Sequence, residues 1–289
     1  MKRITFLIVA ACIVFGACLT GCGGKRDPKM YIVSYRTGGT WNVEVLMNGI
    51  PVIREVSGSS GFLDVNYYMV DGSNTLTVKA EQADKMFVGP LTIQVMWLRN
   101  SQLGEGRFDE AETLFEIVVE PKEIGYSVEE NRTFEAEIPA RWTWLSAEVI
   151  EELTQKDREE IFAIINRMYD AWKEKDVDKL ASFSEIKIKD YVEFFGDSTL
   201  AEDKSTFEKY IDNPLYSPKL RSEDEIEMET FGKVVIVRGK PEDNEEVGSS
   251  EWIIHLLHEK TGEKTWMNYY VDELKFSRFN GVWKLIDSR

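Results

Sequence analysis

The chain has 289 residues, of which 43% are hydrophobic and 12% aromatic, which is enough for about two packed domains and excludes a largely disordered polypeptide. Its 51 acidic and 35 basic residues give a formal net charge of −16. This charge disfavours binding to nucleic acid or to anionic lipid headgroups, and it permits attraction to a protein with a basic surface as well as serving solubility.

The first 22 residues have the three parts of an export signal. Lys2 and Arg3 give a basic start, residues 4–15 are largely apolar and uncharged, and residues 19–22 lead through small side chains to a cysteine. An uncleaved membrane helix is the alternative, but the apolar run is shorter than the roughly 20 residues that a bilayer requires. The pattern therefore favours cleavage and export.

Residues 19–22, Leu-Thr-Gly-Cys, resemble the lipobox of bacterial lipoproteins. The resemblance implies that residues 1–21 are a signal peptide and that Cys22 becomes the lipid-modified N-terminus, carrying fatty acyl chains such as palmitate. The protein would then be anchored in the cell envelope, outside the cytoplasm. Gly23 in place of an aspartate would favour the outer membrane if the envelope is Gram-negative. Since Cys12 and Cys18 leave with the signal, no disulfide or thiolate metal site is available.

Residues 22–29 are expected to be a flexible tether because they are rich in glycine and charge. Residues 30–145 then show short alternating segments separated by turn signals, with Asn48-Gly49 as the strongest hairpin signal and Asp71-Gly72 as another. This pattern predicts an antiparallel β-sandwich that is immunoglobulin-like in architecture only, since it has no cysteine pair.

Residues 146–289 begin with a helical pattern and end with strands. Thr154 and Asp157 have the spacing of a capping box, and apolar residues recur at helical spacing from 161 to 172. Asp176 is expected to cap a second helix, and residues 205–211 are expected to form a third. The later strands are predicted at residues 226–231, 234–238, 251–259, 265–279 and 282–286, with turns at Gly232, Thr261-Gly262 and Asn280-Gly281 and a bulge near Asp272.

Two stretches of this half are similar to the NTF2-like (SnoaL-like) superfamily. They are the helical stripe that runs from Ile161 through Trp172 to Leu180, and the closing hairpin of residues 277–286. The resemblance implies an α+β fold in which helices pack on a curved antiparallel sheet that forms a cone. That superfamily includes isomerases, dehydratases, binding proteins and dimerisation modules, so the resemblance implies a fold and leaves the function open.

A pocket inside such a cone would need an ionisable group in its wall. The residues that could line it are Tyr169, Trp172, His255, Tyr270 and Asp272. His255 and His258, the only histidines, are three apart on a predicted strand and would point to opposite faces, so no metal site is expected. The chain contains none of the phosphate-loop, zinc or nucleophile motifs, so neither a cofactor nor a set of catalytic residues is predicted.

The function expected from these features is that of a membrane-tethered, non-catalytic binding or interaction protein. One specific form is an inhibitor or immunity-type partner of a basic protein. The alternative is a small-ligand binding protein, or an isomerase- or dehydratase-like enzyme, that uses a pocket in the cone. A homodimer formed through the C-terminal sheet remains open, as in some members of the superfamily.

Overall fold

A computed structural model describes residues 26–54, 60–83, 89–196, 216–240, 253–258 and 269–288 of the chain. The described residues fall into two compact units. Unit 1 contains those up to Arg141 together with Phe194–Gly196, and unit 2 contains Trp142–Glu193 and those from Tyr216 onward.

Unit 1 consists of two four-stranded antiparallel sheets. The first sheet has the order β4-β1-β6-β7 and the second sheet the order β3-β2-β5-β8. The strands are β1 (Lys29–Thr37), β2 (Trp41–Met47), β3 (Ile50–Arg54), β4 (Ser60–Asp64), β5 (Gly72–Gln82), β6 (Leu91–Arg99), β7 (Glu112–Val119) and β8 (Ser127–Ala136). A five-residue helix, α1 (Asn100–Gly104), follows β6, and short 3-10 turns lie at Asn66–Tyr68 and Phe108–Glu110.

The core of unit 1 takes residues from both sheets: β5 buries alternate residues, as the period of a half-buried strand requires, whereas β1 buries Met30–Val33 in a row. Val33, Val95, Val45 and Val78 are all fully buried. The Asn48-Gly49 hairpin is confirmed: both residues have positive φ, at 52° and 81°, and they join β2 to β3.

The folded part of unit 1 begins within the segment that was expected to be a tether. The carboxylate of Asp27 accepts hydrogen bonds from the backbone N–H and the hydroxyl of Ser101, both at 2.9 Å. Lys29 is already the first residue of β1. Residues 27–29 are therefore ordered by contacts with the fold.

Unit 2 contains most of the helical residues and two further antiparallel sheets. The third sheet has the order β10-β11-β14-β15, and the fourth sheet has the order β13-β12-β9. The helices are α2 (Gln155–Glu174), α3 (Val177–Phe183) and α4 (Glu185–Phe195), of which the last two residues of α4 are assigned to unit 1. The strands are β9 (Tyr216–Leu220), β10 (Ile226–Phe231), β11 (Val234–Gly239), β12 (Ile254–His258), β13 (Tyr269–Val271), β14 (Glu273–Phe279) and β15 (Val282–Ser288).

Helix α2 starts where the sequence predicts. Thr154 is its N-cap, and the hydroxyl of Thr154 and the carboxylate of Asp157 form a capping box. The apolar stripe of α2, which includes Ile161 and Ile165, packs in one cluster with residues of the third sheet such as Phe276. The predicted cap of α3 is also confirmed, since Asp176 accepts from the backbone N–H of Lys179 at 2.9 Å.

The fold class expected from the sequence, an α+β chain with an immunoglobulin-like sandwich followed by an NTF2-like cone, is wrong. The described residues are mostly β, and they contain no cone of helices on one curved sheet. The strands that follow the helices divide instead between two sheets, because β12 pairs with β9 and β13, whereas β11 pairs with β10 and β14. The alternative function was expected to use a pocket inside that cone.

Further differences concern single elements of unit 2. The predicted strand at residues 265–279 is interrupted at Asp272, where the chain leaves the fourth sheet at β13 and enters the third sheet at β14. Helix α4 was not predicted, and the helix expected at residues 205–211 lies outside the described residues. None of the helices in the described ranges is long and apolar enough to cross a bilayer.

Candidate functional site

Tyr169 and Trp172, two of the residues expected to line a pocket, pack on the core of unit 2. Both are half-buried on α2 and lie against the apolar cluster between α2 and the sheets. The hydroxyl of Tyr169 donates to the backbone oxygen of Pro218 on β9 at 3.4 Å, and Lys173 lies over its ring at 5.2 Å. These contacts give both aromatic residues a structural role.

His255 and Tyr270 lie directly opposite each other across β12 and β13. Pro218 of β9, the residue that Tyr169 reaches, pairs with Leu256 next to His255. The hydroxyl of Tyr169 therefore reaches the strand that pairs with the His255 strand, while the side chains of His255 and Tyr270 are outside what the structure describes. Asp272, which is half-buried, follows β13 by one residue.

Cys22, the predicted lipidation site, lies outside the described residues. Among the described residues, no group of three or more histidine, cysteine and acidic side chains is arranged to hold a metal ion.

A row of alternating charges crosses the outer face of the second sheet, and we call these four residues the charged row. Strand register places Arg54 opposite Glu44, Glu44 opposite Lys79, and Lys79 opposite Glu129. The row therefore runs from a cation on β3 to an anion on β8 through all four strands. Directly opposed charges of opposite sign stabilise an antiparallel pair by about 0.2–1 kcal/mol.

Glu44 holds both cations of the charged row. Its carboxylate lies 3.0 Å from Nε of Arg54 and 3.0 Å from Nζ of Lys79. Glu129 is directly opposite Lys79, but the ammonium group of Lys79 turns to Glu44 instead. One carboxylate of the row is thus neutralised and the other is left facing solvent.

The charged row lies in an open groove of about 580 Å³ on the same face. The groove is lined by Asn42, Val43, Glu44, Arg54, Lys79, Ala80, Glu81, Ser127, Val128 and Glu129. Its lining carries three acidic and two basic side chains. Glu81 and Glu129 are exposed and have no ion-pair partner within the described part of the chain, so the groove presents two carboxylates that can accept a cationic group.

A second polar centre is buried in unit 2. Lys275 on β14 is fully buried, and its ammonium nitrogen lies 2.5 Å from Oε1 of Glu273 and 3.6 Å from Oδ2 of Asp287. Lys187 of α4 contacts the other oxygen of Asp287 at 2.5 Å. Because Asp287 of β15 pairs both with Lys275 of β14 and with Lys187 of α4, this centre joins α4 to the third sheet.

A third polar centre joins α2 to the closing hairpin. The Asp157 carboxylate accepts from Thr154, from Nη1 of Arg278 at 2.9 Å and from Nε1 of Trp283 at 3.1 Å. Burial opposes ionisation of this carboxyl group, but the hydrogen bonds from Thr154 and Trp283 and the Arg278 guanidinium outweigh it. The pKa of Asp157 is therefore lowered below its ordinary value, and the group is a stable anion at neutral pH.

Sequence reasoning missed both the charged row and the groove. The hairpin that brings β2 and β3 together was recognised, but the register between them contains a bulge between Val45 and Leu46. A regular hairpin that starts from the Met47–Ile50 pair would place Glu44 opposite Ile53, and the bulge places it opposite Arg54. The two charges therefore became neighbours through a feature that the turn residues alone do not specify.

Comparison with known protein families, with curated proteins and with solved structures gives no match to this chain.

Proposed function

We propose that the chain is a lipid-anchored, extracytoplasmic binding protein that engages a basic protein partner without catalysing a reaction. The anchor is Cys22, attached after removal of residues 1–21. An inhibitor or immunity-type role toward a basic toxin or enzyme is the specific form that we favour. The anchor would keep the binding unit at the membrane, where such a partner arrives or acts.

The observation that supports this proposal is the groove on the second sheet. Two of its carboxylates, Glu81 and Glu129, are exposed and unpaired among the described residues, and the groove lining is net acidic. The whole chain has a formal net charge of −16, which would speed the encounter with a basic partner. A lysine or arginine of the partner could replace water at either carboxylate without breaking the ion pairs that Glu44 makes.

The test is affinity capture from envelope extract with the wild-type chain and with the double variant Glu81→Lys/Glu129→Lys. The wild type should retain a basic protein at low salt and release it at high salt, because contacts between exposed charges are screened. The double variant should retain at least about tenfold less of it, as expected for loss of charge pairs at an interface.

A matched control carries the same change of charge outside the groove, as Glu112→Lys/Glu151→Lys, since both of these residues are exposed. Equal loss in the two double variants would mean that only the net charge matters. Capture of no basic protein by the wild type at any salt concentration would overturn the proposed function.

A further inference from the structure

The N-terminal end of unit 1 carries a tryptophan between two cations. Lys29 and Arg99 lie directly opposite each other across β1 and β6, and Trp97 lies two residues before Arg99 on the same face. Nζ of Lys29 is 4.6 Å from the centre of the Trp97 ring, and the guanidinium carbon of Arg99 is 5.9 Å from it. We call these three residues the N-terminal patch.

Arg99 is the exposed cation of the patch. Its guanidinium donates to the backbone oxygen of Asp27 at 2.9 Å and has no carboxylate at ion-pair distance among the described residues. Lys29, in contrast, binds Glu137 at 2.8 Å. The patch therefore contains one neutralised cation, one cation that is open to an anion, and a half-buried indole ring.

The patch lies close to the predicted anchor. Asp27 is five residues after Cys22, and it is fixed to unit 1 by its two hydrogen bonds with Ser101. Five fully extended residues span at most about 18 Å. A lipid on Cys22 would therefore hold Asp27, and the strand ends beside it, within about 18 Å of the membrane surface.

We propose that the N-terminal patch contacts the phospholipid headgroups of the membrane and orients unit 1 on it. This inference rests on the lipid anchor of the proposed function. Tryptophan is enriched at the membrane–water interface because its ring is apolar and its N–H is polar, and an arginine can bind a lipid phosphate through two parallel hydrogen bonds. The short tether keeps the patch at a high local concentration near the headgroups, which compensates for the weak binding of a patch of only three residues.

The test measures how far two labelled positions of the lipidated chain lie from the bilayer. Removal of Cys12 and Cys18 with the signal, and lipidation of Cys22, leave no free thiol in the mature chain, so a single new cysteine can be labelled. Asn100→Cys places the label beside the patch. Val118→Cys places it on an exposed residue opposite Thr92, seven residues from Arg99 along β6, which is about 23 Å.

The labelled proteins are reconstituted into phosphatidylcholine vesicles that carry a quencher in the headgroup region. Fluorescence at position 100 should be quenched at least about threefold more than at position 118, because one end of unit 1 faces the interface. Equal quenching at the two positions would overturn the inference, as would stronger quenching at position 118.

A second comparison separates contact between the patch and the headgroups from mere proximity imposed by the short tether. Arg99→Glu should reduce the quenching ratio toward one, whereas Arg132→Glu, the same change at an exposed arginine of β8, should leave it unchanged. A quenching ratio that Arg99→Glu does not alter would also overturn the inference.

Flotation of the unlabelled wild type with vesicles tests the lipid anchor separately. Failure to float contradicts the proposed function, while flotation with equal quenching at the two positions contradicts only the role of the patch.

Discussion

Trp283 on β15 donates its indole N–H to the carboxylate of Asp157 in the first turn of α2, at 3.1 Å. The same oxygen accepts from Arg278 on β14, and the other carboxylate oxygen caps the helix through Thr154. One buried carboxylate therefore joins the start of the main helix to the last hairpin of the chain.

Replacing Asp157 with alanine should lower the free energy of unfolding by about 1–3 kcal/mol, because it removes the capping partner of Thr154 and leaves the Trp283 donor without this acceptor, while Arg278 keeps its ion pair with Glu148. Equilibrium unfolding in urea measures the loss. The control is Glu159→Ala on the exposed side of the same turn, which should change stability by less than about 0.5 kcal/mol. A loss at Asp157 no larger than at Glu159 would contradict the role of this contact.

The pH dependence of stability follows from the lowered pKa of Asp157. A carboxyl whose pKa is lower in the folded state stabilises the fold fully above its unfolded pKa, near pH 4, and loses that contribution as the pH falls through the folded value. The stability difference between the wild type and Asp157→Asn should therefore be constant above about pH 5 and shrink below about pH 4. Urea unfolding at stepped pH values measures this stability difference. A difference that grows on acidification would contradict a lowered pKa of Asp157.

Lys275→Met should lower the free energy of unfolding by about 3–5 kcal/mol, because it removes the buried cation that faces Glu273 and Asp287. Adding Glu273→Met to this variant should recover part of the loss, since it removes a largely buried carboxylate whose remaining ion-pair partner, Arg238, is 3.9 Å away. Lys187→Met should cost less than Lys275→Met, because the side chain of Lys187 is one-third exposed. Unfolding in denaturant compares the three variants, and equal stability of the single and double Lys275 variants would contradict the account.

Glu44→Gln should destabilise the chain by about 0.5–1 kcal/mol, because Glu44 pairs with two cations of the charged row. Glu129→Gln is the matched control on the same face and should stay within about 0.5 kcal/mol of the wild type, because Glu129 makes no ion pair in the described structure. Thermal unfolding at low and at 1 M salt checks both variants. The Glu44 effect should be smaller at high salt, where exposed ion pairs are screened.

Gly89→Ala should destabilise unit 1 by about 1–3 kcal/mol, since the added Cβ would overlap the backbone carbonyl of Gly38. Both segments are held there, because Gly38 donates its N–H to Pro90 at 2.8 Å and Trp41 donates its indole N–H to the oxygen of Gly89 at 2.9 Å. Gly38→Ala is the control, with its nearest contact at 3.1 Å. A larger loss at Gly38 than at Gly89, measured by thermal unfolding, would contradict this close approach.

The elements that the sequence predicts well are those decided by neighbouring residues. The Asn48-Gly49 and Asn280-Gly281 hairpins form because each pair accepts the positive φ values of a tight turn. The start of α2 follows from the hydrogen bonds between Thr154 and Asp157. In each case the interaction lies within about four residues of the chain.

The elements that the sequence does not predict depend on distant contacts. Helix α4 buries Asp190, whose carboxylate accepts hydrogen bonds from the backbone N–H and the hydroxyl of Thr143. A polar residue therefore occupies a buried position of this helix, where the helical pattern in a sequence is expected to show an apolar one. The pairing of β12 with β9 and β13, which overturns the NTF2-like prediction, is likewise set by partners far along the chain. The groove of unit 1 needs the correct register of four strands, which no short motif encodes.

Asp272 is the only residue between β13 and β14, and those strands belong to different sheets. The side chains of a strand alternate with a period of two, so deleting this one residue would turn each position of β14 to the opposite side if the chain before it stayed in place. The ammonium group of Lys275 would then lie in the apolar cluster that Phe276 now fills, and the ring of Phe276 would lie beside the buried carboxylate of Asp287. The length of this junction is therefore constrained, because removing its one residue would exchange the ionic and the apolar sides of β14.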